Sequence, residues 1–110
     1  MDLFNQMQEM IQKLNISIKS LANNGQALAE AEKEYKITLR QEALKLRQEK
    51  GMPVTLIQQI VYGVPEVAEK RFKRDVAEAM YNTNQEYINT MKLQIRIIEN
   101  QLSREFGNVR

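Results

Sequence analysis

Cysteine, histidine and tryptophan are absent from this chain, and it holds only four glycines and two prolines. Without cysteine there are no disulfides and no thiolate chemistry, and the chain is silent about redox compartment. Without histidine the commonest general base and the commonest metal ligand are both missing. The only aspartates are Asp2 and Asp75, so a catalytic centre would have to be built from glutamates, which on a helix are far more often a solvated face. Gly25, Gly51, Gly63 and Gly107 lie too far apart for a phosphate-cradling loop. These absences predict a non-enzymatic protein with no cofactor and no metal. Missing too is any uncharged apolar run long enough to cross a membrane, and the N-terminus lacks the basic and apolar segments of a secretory signal. A cytoplasmic protein that makes no use of a membrane is expected.

The residues that are present favour helix. The 110-residue chain is 43% hydrophobic and 27% charged with a net charge of +2, a composition that folds rather than staying disordered. Gly and Pro are too scarce for the frequent turns of an all-β chain. From Leu3 to Lys50 there is no proline, and Phe4, Met7, Ile11, Leu14, Ile18, Leu21, Leu28, Tyr35, Leu39 and Leu46 recur at helical spacing. Lys50 followed by Gly51 is a helix stop, reinforced by Pro53. Residues 51–64 form a short tip, in which Thr55 is positioned to cap a two-turn helix ended by Gly63. Pro65 and Glu66 then open a second arm that nothing interrupts until Gly107.

Two arms of similar length, 3–50 and 65–106, with a short connection bury their apolar stripes most economically by folding back on each other. The expected fold is therefore an all-α, coiled-coil-like antiparallel helical hairpin forming one domain, with a short helix at its tip. In the second arm Tyr81, Asn84, Ile88, Met91, Ile95, Ile98 and Leu102 step by three and four, the seam of a coiled coil. Phe72, Val76 and Met80, nearer the tip, read as a different phase of that seam. A fold about residue 58 opposes Leu14 and Ile18 to Ile98 and Leu102, and Leu28 to Tyr87. The small residues Ala22, Gly25, Ala27, Ala29 and Ala31 then lie level with bulky Tyr81 and Tyr87. Asn23, Asn24 and Gly25 together cost a helix roughly 1–2 kcal/mol, and a break of the first arm there is the alternative.

Three surfaces stand out, each against a plainer reading. Ile16, Leu93 and Ile97 point away from the seam near the open end, which suggests a homo-oligomer interface such as a four-helix bundle; isolated surface hydrophobes are the plainer account. Met52, Leu56, Ile57, Ile60 and Tyr62 crowd the tip as candidates for binding a protein partner, where the plainer account is a plug closing the hairpin. Lys70, Arg71, Lys73 and Arg74 form a candidate nucleic-acid patch. Nearby Glu42, Glu49, Glu66, Glu69 and Asp75 dilute it, and a solvated helical face is the plainer account.

The stretch Glu49-Lys-Gly-Met-Pro-Val-Thr-Leu-Ile-Gln-Gln-Ile60, the stretch Val67-Ala-Glu-Lys-Arg-Phe-Lys-Arg-Asp-Val-Ala-Glu-Ala79 and the tail Lys92-Leu-Gln-Ile-Arg-Ile-Ile-Glu-Asn-Gln-Leu102 resemble small helical proteins encoded by phages and prophages of Gram-positive bacteria. The resemblance covers roughly residues 30–106 and carries no catalytic residues with it. It implies a phage-encoded product in the host cytoplasm that works by binding, for example as an inhibitor of a host or phage macromolecule. Nucleic-acid binding through the basic patch and a purely structural role as an assembly spacer are the alternatives.

Overall fold

The computed structural model describes residues 2–107, and among them the chain is all-α with no strand. Helix α1 spans Leu3–Lys50, α2 spans Val54–Ile60 and is followed by a 3-10 turn at Val61–Gly63, and α3 spans Pro65–Gly107. Asp2 starts α1 by accepting the Phe4 N–H on its carboxylate at 2.9 Å, a capping bond that satisfies one of the orphan donors of a helix start. Gly51 ends it at φ +59, the only positive φ among the described residues, and the Met52 N–H then closes onto the Leu46 carbonyl. Asn23, Asn24 and Gly25 do not break α1; the helix runs through them, its local propensity cost outweighed by flanking turns that bury a common face. By compactness the helices divide into two units, Asn24–Met80 and the remainder, residues up to Asn23 with those from Tyr81 onward. In each unit α1 lies antiparallel to α3, the helical hairpin that the apolar periodicity predicts.

In the unit Asn24–Met80 the core is Tyr35, Ile57, Val61 and Val67, with Leu39, Ala43, Leu46, Met52 and Val64 packed against it. Leu39, Ala43 and Leu46 lie on the last turns of α1, so α2 and the 3-10 turn fold back along α1 instead of standing beyond its end. That placement corrects the register expected from a symmetric fold. Lys70 meets Glu34, where folding about residue 58 would oppose it to Lys45. The insert already occupies the final turns of α1, so α3 begins its pairing further back. The start of α2 differs as well: Pro53, extended at φ −62 and ψ 146, is the N-cap, and Thr55 lies inside the helix. The Pro53 carbonyl accepts the Ile57 N–H at 3.0 Å. Gly63 belongs to the 3-10 turn and has no positive φ, so it is not a left-handed stop.

In the other unit Ile88, Met91, Ile95 and Ile98 are buried on α3, and Met7, Met10, Leu14, Ser17 and Leu21 are half-buried on α1 at matching three- and four-residue steps. Asn84 donates from Nδ2 to the Ser17 carbonyl at 3.2 Å, a polar contact on an otherwise apolar seam that favours one register over its neighbours. Ile18, expected in the seam, is exposed instead, because the step from Leu14 to Leu21 passes through Ser17. The fold about residue 58 also opposed Asn84 to Ala31 rather than to Ser17, and Tyr87, expected to face Leu28, is exposed.

The seam of α3 does not change phase near the tip. Val67, Lys70, Arg74 and Ala77 are its buried or half-buried positions there, continuing the same alternation of three and four that reaches Leu102. Lys70 and Arg74 fill these positions with their aliphatic stems while their charged heads reach out. Phe72, Val76 and Met80 are consequently off the seam and exposed.

Candidate interaction surfaces

The tip is anchored on one side and bare on the other. Ile57 and Val61, four residues apart, point into the core, while Val54, Leu56, Ile60 and Tyr62 are exposed. Of the five tip residues singled out in the sequence, then, Ile57 is a core residue, 7% exposed and inaccessible to a partner. Met52 is half-buried against that core. Leu56, Ile60 and Tyr62 remain on the surface. Between Lys50 and Glu66 there is no charged residue, so the exposed side of α2 carries apolar Val54, Leu56 and Ile60 beside neutral Thr55, Gln58 and Gln59, over a packed inner side.

The basic stretch is engaged within its own unit. Lys70 Nζ reaches Glu34 Oε2 at 3.0 Å, and this hydrogen bond, with the charge beside it, holds the Glu34 carboxyl below the usual carboxylate range. Arg74 pairs with Asp75 at 2.8 Å and lies over the Tyr35 ring at 4.9 Å; the hydrogen bond to Asp75 raises its pKa further. Arg71 lies over the Tyr62 ring, 5.6 Å from its centre, within cation–π range. Lys73 is 4.0 Å from Glu69 one turn earlier. Each of the four cations thus has an acid or an aromatic ring beside it. The exposed ion pairs contribute little stability, but they leave no bare cationic stripe of the kind that tracks a phosphate backbone.

Alongside Phe72, Val76 and Met80 runs an open apolar groove whose other wall is Asn24 and Ala27 on α1. The space is about 230 Å³, too small for a typical ligand pocket of about 300–1,000 Å³ and suited to a few inserted side chains. Phe72 is 64% exposed and Met80 56%. Sequence reading missed this groove because residues four apart on a helix mark an apolar stripe without saying which stripe is the seam. The signal that separates them is the uninterrupted three-four alternation through Lys70, Arg74 and Ala77, whose polar heads disguise it.

In the other unit Ile16, Leu93 and Ile97 are 66%, 54% and 48% exposed, outward as the seam positions require. Among the described residues no cluster of three or more His, Cys, Asp or Glu is placed to hold a metal, and no helix is long and apolar enough to cross a membrane. Compared with known proteins, the chain matches no family model, no curated protein and no solved structure.

Proposed function

We propose that this chain is a non-catalytic interaction protein that associates with itself and presents its tip to a macromolecular partner, altering that partner's activity. The observation carrying the partner reading is the tip: a short helix whose inner side is fixed by Ile57 and Val61 keeps Val54, Leu56, Ile60 and Tyr62 exposed, with Arg71 over the Tyr62 ring as the neighbouring cation. Rigid apolar anchors of this kind lose little side-chain entropy on docking and supply most of an interface's binding energy. Self-association is supported by the outward Ile16, Leu93 and Ile97. The resemblance to phage-encoded helical proteins gives the partner a source, a host or phage macromolecule in the cytoplasm of an infected cell. Nucleic acid ranks below protein as that partner, since Lys70, Arg71, Lys73 and Arg74 are already occupied by acids and rings.

A photo-reactive amino acid placed at Leu56, compared with the same residue at Asn82, tests the partner reading in cells that make the protein. A discrete protein adduct from position 56 and none from position 82 is the expected result. No adduct from either, or equal labelling from both, removes the tip as the docking site. Independently, the purified protein should show a sedimentation mass that rises with concentration.

A further inference from the structure

We propose that the two units open separately, the end unit (residues up to Asn23 with those from Tyr81 onward) unzipping while the tip unit, Asn24–Met80, stays folded. Each unit has buried residues of its own. The division falls after Asn23 on α1 and after Met80 on α3. Beside it each helix carries weak helix formers: Asn23, Asn24 and Gly25 on α1, and Asn82, Thr83 and Asn84 on α3. Such residues give up the helical state at lower cost than Ala, Leu or Glu, so unzipping that starts at the chain ends has a place to stop.

The order of opening follows from what each unit buries. In the tip unit the buried residues come from four elements: Tyr35 on α1, Ile57 on α2, Val61 in the 3-10 turn and Val67 on α3. Lys70 with Glu34 and Arg74 over Tyr35 add charged contacts from α3 to α1. In the end unit α3 supplies all the buried residues among those described, Ile88, Met91, Ile95 and Ile98, and none of α1 up to Asn23 is buried. Segments with fewer buried apolar contacts open at lower free energy. Connectivity acts in the same direction. With the tip unit folded, the end seam pairs without closing a new loop; over an unfolded tip it would close a loop of everything from Asn24 to Met80 and lose that loop's entropy. Opening therefore runs from the chain ends inward, and the packed inner side of the tip survives it.

Amide hydrogen exchange of the whole chain tests this, at the lowest protein concentration that can be read, where self-association adds least protection. The slowest amides of residues 7–21 and 88–102 should exchange at least about tenfold faster than the slowest of residues 35–48 and 67–77. Ile95→Ala, which truncates a buried side chain of the end unit, should lower protection on both of that unit's arms at least about tenfold and leave the tip unit's amides unchanged. If the variant unfolds the end unit outright, the tip unit should still be protected. Asn82→Ala combined with Thr83→Ala, at exposed helical positions, should raise protection in the end unit alone by at least about threefold. Three results overturn the proposal: the slowest amides of both units exchanging at one rate, Ile95→Ala lowering protection in the tip unit as much as in the end unit, or the tip unit exchanging first. Self-association is read separately, from whether protection rises with concentration, so its failure leaves this test standing.

Discussion

Ile57 and Leu56 are neighbours of similar size on one short helix, and their replacement should have opposite weights. Ile57→Ala removes the three carbons beyond Cβ from a side chain buried against Tyr35, Val61 and Val67. At about 0.8 kcal/mol for each buried carbon the transfer loss is about 2.4 kcal/mol. A residual cavity adds to it, bringing the expected cost to about 3 kcal/mol, inside the range of about 2–5 kcal/mol for such truncations. Leu56→Ala acts on an exposed residue and should change stability by no more than about 0.5 kcal/mol. The assay is urea unfolding followed by circular dichroism at one fixed protein concentration, since association and folding are linked. A difference of about 2 kcal/mol or more between the two variants is expected. If they cost the same, α2 is not packed along α1, and both the displaced register of α3 and the anchored tip lose their basis.

Val67, the one fully buried large side chain among the described residues, should cost about 2 kcal/mol when changed to Ala in the same assay. Gly51→Ala meets no atom within 4 Å but must adopt φ +59. It should lower stability by about 1–2 kcal/mol, and Gly51→Asn by less, as thermal melts would show. Glu34 has its pKa depressed by Lys70, so its contribution is present above the ordinary glutamate pKa and is lost as pH falls through the lower folded value. Glu34→Gln should therefore flatten the acid side of a stability profile taken between about pH 5 and pH 2. Gel-shift titration with DNA or RNA at about 0.15 M salt should show no complex. Tight binding that weakens steeply with salt and disappears when Lys70, Arg71, Lys73 and Arg74 become Gln would promote nucleic acid over protein as the partner.

The sequence by itself determined the all-α class, the ends of the two long helices and their antiparallel pairing. Those features rest on local rules: the scarcity of Gly and Pro, the stop at Lys50 and Gly51, the opening at Pro65, and apolar periodicity too regular for any other element. The seam from Tyr81 to Leu102 was legible for the same reason, as were the outward directions of Ile16, Leu93 and Ile97 that follow from it. Register and the faces of the tip were decided only by tertiary structure. Nothing local tells that α2 lies back along Leu39, Ala43 and Leu46, because Ile57 and Leu56 are equally apolar and only the packed core distinguishes them. Once that insert is seated, α3 must start opposite an earlier turn of α1. Lys70 and Arg74 then fall on the seam, and Phe72, Val76 and Met80 turn outward. Periodicity fixes which residues share a side of a helix; which side is buried depends on the surface the rest of the chain brings against it.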